Sequence, residues 1–256
     1  MSYRIEENTL KISFKNFFKK ILRYFSYEIK KVGVGSGDLL TLLTSIINKK
    51  KPTIFDVGAH HGETSNFFLK NLKNFKNLKL YCFEPEENNF LILSENNKNY
   101  PQIKNYNLGF SNSEGKLEFH INNHSATHSI LPLEKNHAKI WKNNLYPNTK
   151  KKVFFTTIDN FLKKENINVI DLLKLDVQGA EFLVLNGSKK SLQEKKIKNI
   201  LLEINLATGY VKQKSLNYYI SFFKKYDYEL FSFVNMGYRK KDQYLLCLDA
   251  VFTVKK

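Results

Sequence analysis

Short apolar runs alternate with stretches of helical periodicity from residue 53 onward, and that alternation predicts strand and helix in turn. In the first run Ile54, Phe55 and Val57 surround Asp56, the pattern of a buried parallel strand. Gly58 and Gly62 follow, and Glu63 and Thr64 open a helical pattern through Phe67, Phe68 and Leu72. Lys79–Phe83 reads as a second strand, Glu86–Asn99 as a helix and Ile103–Asn107 as a third strand. Lys116–Ile121 alternates like a strand with one wet face, and Val153–Thr157 is strand-like and leads into a helix at Asp159–Lys164. Ile170–Leu175 and Ile200–Ile204 are the fourth and fifth parallel strands, separated by a helix carrying Phe182, Leu185 and Leu192. After a helix at Leu216–Tyr226, Glu229–Val234 and Tyr244–Val254 form an expected antiparallel hairpin joined through Asn235-Met236-Gly237. The whole is an α/β pattern with a mostly parallel sheet.

Three stretches stand apart from this alternation. Leu10–Val32 is amphipathic and basic, with Leu10, Phe14, Phe17, Ile21 and Phe25 at helical spacing. We expect it to pack on the rest of the protein, with a membrane-surface or partner helix as the rival reading. Residues 1–50 are therefore read as an N-terminal helical extension and 51–256 as the main domain. Gly33-Val34-Gly35-Ser36-Gly37 has the look of a phosphate loop. A helical pattern precedes it and no Lys-Ser/Thr pair follows, so it reads as a joint ending in the Asp38 cap of a helix over 39–48. Asn122–Lys152 runs long without periodicity and carries His124, His128 and His137, which predicts a lid insertion over 122–152.

Candidate chemistry gathers at the predicted strand ends. Strand, glycine turn and helix N-terminus bring backbone N–H groups close to a ligand. The spacing Gly58-x-x-x-Gly62, with Asp56 before it, differs from the G-x-G-x-x-G of dinucleotide sites and favours another cofactor. Glu84 ends the second strand roughly 20 residues beyond Gly62, where a carboxylate accepts ribose hydroxyls. Asn107-Leu108-Gly109-Phe110 ends the third strand and is positioned to meet the cofactor's base. Asp176 ends the fourth strand and Glu203 lies within the fifth, and a carboxylate in an apolar strand is costly unless paired or functional.

Composition narrows the picture without redirecting it. The net charge is +17, yet only Arg4, Arg23 and Arg239 are arginine and the lysines are scattered, which counts against nucleic acid as the partner. Cys82 and Cys247 lie in apolar strand-like runs and read as small buried hydrophobes of a reducing compartment. There is no membrane-spanning apolar run and no signal-peptide pattern, so a cytoplasmic location is expected.

Five motifs stand in order: F-D-V-G-A-H-H-G, F-E-P, N-L-G-F-S, L-L-K-L-D-V-Q-G-A-E and L-L-E-I-N. Together they resemble the FkbM family of S-adenosylmethionine-dependent methyltransferases over roughly residues 51–206. The resemblance implies the Rossmann-like class I methyltransferase fold, a seven-stranded, mostly parallel sheet with one antiparallel strand. It implies that Gly58 and Gly62 flank the methionine moiety, that Glu84 holds the ribose, and that Asn107, Gly109 and Ser111 face the adenine. His60 stands where the family usually has Asn, and Gln178 where Glu is commoner. The implied reaction is O-methylation of a sugar, nucleotide sugar or surface-glycan hydroxyl. Asp176, also at the cofactor, and Glu203 are the candidates to handle the proton, directly or through a shared divalent ion such as Mg²⁺ or Mn²⁺. His124 and His128 are rival bases, and Glu181 is a candidate helix cap. The other classes kept open are an RNA methyltransferase of the same fold and a non-catalytic protein binding membrane surfaces.

Overall fold

The computed structural model describes residues 39–47, 51–72, 77–135 and 147–255. The expected helix at Leu10–Val32, the glycine stretch 33–37 and His137 lie outside them. Helix α1 (Leu39–Ile46) leads into strand β1 (Thr53–Val57), helix α2 (Glu63–Asn71), β2 (Lys79–Phe83), α3 (Glu87–Asn97) and β3 (Ile103–Tyr106). Next come β4 (Gly109–Phe110), β5 (Gly115–Asn122), β6 (Pro147–Thr156), α4 (Ile158–Lys164) and β7 (Leu172–Leu175). The chain finishes with α5 (Glu181–Asn186), α6 (Lys189–Gln193), β8 (Asn199–Asn205), α7 (Leu216–Lys224), β9 (Tyr228–Tyr238) and β10 (Leu245–Val254).

Seven of these strands form one sheet in the order β3-β2-β1-β7-β8-β10-β9, and β10 alone runs against its neighbours. This is the class I methyltransferase sheet that the motifs implied. Both faces are covered, so alternate residues of one strand enter different cores. Phe55 and Val57 pack with Phe83, Leu173, Leu175 and Phe161 on one face. Ile54 packs with Leu43 of α1, Phe68 of α2, Leu172 and Leu201 on the other. Three of the described helices begin on side-chain caps: Glu86 accepts the Asn89 N–H and Thr157 the Asn160 N–H, both at 3.0 Å, and Ser215 accepts the Tyr218 N–H at 3.4 Å. No described helix is long and apolar enough to cross a membrane.

The structure corrects three expectations. Asn235, Met236 and Gly237 are not a turn; they lie inside β9, and the chain reverses between Tyr238 and Leu245. Register shifts in the β9–β10 pair absorb the unusual backbone, including Asn235 at φ 48°. The last part of the stretch expected as a lid is strand: β6 pairs antiparallel with β5 from Pro147 to Phe155, and β4 joins them in a separate three-stranded sheet. Within it, the described residues 123–135 form a flap with a short 3₁₀ turn at Ser125–Thr127. The helix expected through Leu192 is two helices broken at Gly187, which packs against the Ser111 carbonyl.

Gly58 fixes the distance between the ends of β1 and β7. Its φ is +81°, and a Cβ there would meet the Asp176 carbonyl oxygen at 1.9 Å. Gly58→Ala is therefore expected to cost about 2 kcal/mol or more, from left-handed strain plus the clash. Urea unfolding checks this, and an unchanged midpoint would contradict it.

Candidate active site

The sheet order reverses between β1 and β7, with β2 on one side and β8 on the other. Parallel sheets receive ligands outside the carboxyl ends of their strands at such a point. A cavity of about 410 Å³ opens there, lined by Gly58, His60, Glu84, Gly109 and Asp176 among others. The rings of Phe83, Phe110, Phe119 and Phe155 give it apolar walls, and the volume is in the range of small-ligand sites.

Glu84 is nearly buried, and its carboxylate ties two turns together. Oε2 accepts the His60 N–H and Oε1 accepts the Glu86 N–H, each at 3.0 Å. Burial pushes its carboxyl up to about 7, against the pull of those two N–H bonds. Asn107 works behind it, its Nδ2 donating to the Glu84 and Pro85 carbonyls at 2.9 and 3.2 Å.

Four of the expected cofactor residues thus support the cavity without lining it. Asn107 is one. Asp56 is fully buried, with Oδ1 accepting from Lys174 Nζ at 3.0 Å and Oδ2 facing the Ser65 hydroxyl at 3.4 Å. Gly62 packs α2 against α3, where an added Cβ would come within 3.1 Å of Leu93. Ser111 is buried, and its N–H donates to the Thr156 carbonyl at 2.9 Å.

Lys174 connects the buried acid to the cavity. Its Nζ also lies 3.5 Å from Asp176 Oδ2. Burial acts to neutralise the ammonium, but the carboxylates of Asp56 and Asp176 outweigh it and hold the lysine charged. Asp176 and Glu203 are brought together as the sequence suggested, because Gln178 Nε2 donates to both, at 2.8 and 3.3 Å. The Asp176 charge, burial and the nearby Glu181 and Asp249 raise Glu203 well above the ordinary carboxyl range. An amide donor between the two carboxylates is the wrong group for Mg²⁺ or Mn²⁺, which take oxygen ligands. The pair therefore does not fit the shared-ion reading.

Glu181 accepts the Val177 and Gly179 N–H groups at 3.0 and 3.2 Å, so it closes the turn ahead of α5. His124 and His128 both line the cavity, from the flap. His128 Nδ1 accepts the Asn122 N–H at 3.1 Å, which leaves the neutral ring's proton on Nε2. Burial lowers its affinity for a second proton. That ring is set up to donate, so His128 is a poor base; His124 is exposed.

Several residues of the site escaped the sequence reading. Ser125 meets His60 Nε2 at 2.8 Å, and the Tyr210 hydroxyl lies 3.0 Å from the Thr127 carbonyl and 2.9 Å from Gln178 Oε1. Ser129 donates to the Gln178 carbonyl at 2.9 Å, so the flap is fastened to the turn after β7. Lys174 carried a usable signal, a charge set inside the apolar run L-L-K-L like that of Glu203 in I-L-L-E-I. Tyr210 and Ser125 carried none. A second cavity, of about 500 Å³, shares Glu63, Thr64, Lys174 and Asp176 with the first and extends to Phe67, Glu203, Asn235 and Asp249.

The FkbM methyltransferase domain matches residues 56–230. The 2-O-methyltransferase NoeI of Sinorhizobium fredii is 26% identical over 177 residues, covering 67% of this chain and 71% of that protein. Methyltransferase FkbM from Methylobacillus flagellatus is similar in structure, at 15% identity and a TM-score of 0.48. That match covers 78% of this chain and 44% of the other, so this chain spans less than half its length. A TehB-like SAM-dependent methyltransferase from Corynebacterium glutamicum has 12% identity and a TM-score of 0.41, with coverage of 98% and 100%. The family match takes in the end of β1 and the whole of β2, β7 and β8, with the strand-end acids Glu84 and Asp176. The chain belongs to the FkbM methyltransferase family, and it is an S-adenosylmethionine-dependent methyltransferase.

Proposed function

We propose that the chain transfers the methyl group to a hydroxyl of a sugar, either nucleotide-activated or part of a surface glycan. The observation that carries this reading is Asp176, which lines both cavities. The first cavity has the carboxylate and aromatic walls suited to S-adenosylmethionine. The second offers Phe67 and Leu201 beside Glu203, Asn235 and Asp249. An apolar surface next to hydrogen-bond acceptors suits a sugar, which presents C–H faces and hydroxyl donors. The same carboxylates disfavour a phosphate backbone, so RNA is the weaker reading. The name of the relative, a 2-O-methyltransferase, supports oxygen as the acceptor atom.

In this reading the acceptor oxygen attacks the sulfonium methyl carbon, the C–S bond breaks, and S-adenosylhomocysteine leaves. Asp176 takes the hydroxyl proton. Lys174 and the Gln178 amide hold that carboxylate in position, at 3.5 and 2.8 Å. The Asp176 charge and burial disfavour a second negative charge on Glu203 beside it. Most of the rate enhancement comes from aligning oxygen, carbon and sulfur, worth up to ~7–11 kcal/mol in favourable cases.

Glu84→Ala should weaken S-adenosylhomocysteine binding by roughly 10- to 100-fold, the worth of a hydrogen bond to a charged group, as read by calorimetry. The ionised carboxylate is the form that accepts ribose hydroxyls, so wild-type affinity should fall as pH drops through about 7, and Glu84→Gln should lose that dependence. Equal affinity in wild type and Glu84→Ala would remove the ribose role. Asp176→Asn should keep cofactor affinity while turnover on a labelled-methyl assay drops by about 100-fold or more, the scale of general-base catalysis. Glu203→Gln, which keeps the size and hydrogen-bonding shape of a side chain that does not take the proton, should be the milder of the two. Near-normal turnover in Asp176→Asn would make the pair structural and leave His124 as the base to test.

A further inference from the structure

The flap over the cofactor cavity is held differently at its two ends. From Ser129 to Glu134 the fastening is backbone. His120 and Ser129 exchange N–H bonds at 2.7 and 3.2 Å, Val211 donates to the Pro132 carbonyl at 2.9 Å, and Glu134 donates to the Gly209 carbonyl at 3.0 Å. The 3₁₀ turn at Ser125–Thr127 meets the cofactor turn and α3 through side chains instead. His60 and Ser125 both line the cavity, one from the turn after β1 and the other from the flap. Their contact, Nε2 to Oγ at 2.8 Å, joins the two walls.

The His60 ring is fixed from every side. Its backbone N–H is held by Glu84 at 3.0 Å, the acid assigned to the ribose. Nδ1 meets Glu63 Oε1 at 3.1 Å. A carboxylate only accepts, so the neutral ring carries its proton on Nδ1 and takes the Ser125 hydroxyl proton's bond on Nε2. One face stacks on His61, with centroids 3.7 Å apart and planes 20° from parallel. His61 Nε2 in turn meets Asn89 Oδ1 at 3.2 Å, and Asn89 Nδ2 reaches the Ser125 carbonyl at 3.5 Å. Two arms thus converge on Ser125. His60 itself adopts a left-handed φ of 47°, and strained residues of this kind cluster at ligand clamps.

We propose that His60 is a positioning residue for the cofactor: through Ser125 it latches the flap against bound S-adenosylmethionine and sets how fast the spent cofactor leaves. Methyl transfer needs both halves of that role. The sulfonium has to stay aligned during the reaction, and S-adenosylhomocysteine has to escape afterwards. Breaking the His60–Ser125 contact frees one end of the flap, while the backbone bonds keep Ser129–Glu134 in place. The latch concerns the cofactor alone and does not depend on which acceptor is methylated.

The test is the rate at which S-adenosylhomocysteine leaves the full chain, followed by surface plasmon resonance. Ser125→Ala and His60→Asn should each speed release by about 3- to 10-fold, the scale of one hydrogen bond, with association changed by less than about 2-fold. Asparagine tolerates the left-handed backbone better than most residues, so His60→Asn is expected to fold. Ser125→Ala removes only a hydroxyl from a half-buried turn and decides the matter even if His60→Asn does not fold. The double variant should release within about 2-fold of the faster single one, because both changes break the same contact. Release at the wild-type rate in Ser125→Ala, or single effects that multiply in the double variant, overturns the latch.

Discussion

The ion pair between Asp56 and Lys174 is the interaction on which the site depends. The two residues face each other across adjacent parallel strands, and Asp56 has no exposed surface. An unpaired carboxylate in that position would cost several kcal/mol, more than the ~1.5–3 kcal/mol that a neighbouring buried Phe or Leu contributes. Burial still raises the Asp56 carboxyl above its ordinary range, and Lys174 offsets part of that cost while also reaching Asp176, at 3.5 Å. The acid at the cofactor cavity is thus held from below by a charge anchored in the core. Gly58 completes the arrangement, since only a residue without Cβ lets β1 end so close to the Asp176 carbonyl.

Above this base, each turn of the cavity is held by a side chain from another. Glu84 fixes the His60 and Glu86 backbone, Glu181 fixes Val177 and Gly179, and Gln178 spans Asp176 and Glu203. Tyr210 and Ser129 fasten the flap to the Gln178 turn, and His60 reaches Ser125 on the same flap. Positioning of this kind is what a methyl transfer asks of a protein, because the cofactor supplies the reactive group.

Much of this was legible in the sequence. The strands showed as short apolar runs because both sheet faces are buried, and Glu84 and Asp176 showed as acids at the ends of those runs. Asp56 was visible as a residue of the site but its role was not. An acid before a glycine turn looks like a cofactor contact, and only the cross-strand register reveals Lys174 as its partner. The first half of β6 was hidden, although Val153–Thr157 read as strand, because Lys150, Lys151 and Lys152 follow one another, with no period-two pattern to read. Two of those lysines pair with acids distant in sequence, Glu118 and Glu86. Asn235-Met236-Gly237 carried turn residues, yet they serve an irregular strand pair, while Arg239 and Asp242 form an ion pair within the actual reversal. Tyr210 meets the flap across 83 residues of chain, a distance no local pattern can bridge.

A double-mutant cycle on Asp56 and Lys174 tests the anchoring claim most directly. Lys174→Met should cost about 3–5 kcal/mol in urea unfolding, since it leaves the Asp56 carboxylate buried and unpaired. Adding Asp56→Asn removes that stranded charge, so the double variant should be more stable than Lys174→Met alone, with a coupling energy of about 2 kcal/mol or more. Single effects that add to within about 0.5 kcal/mol would show that the two residues do not depend on each other, and would contradict the account.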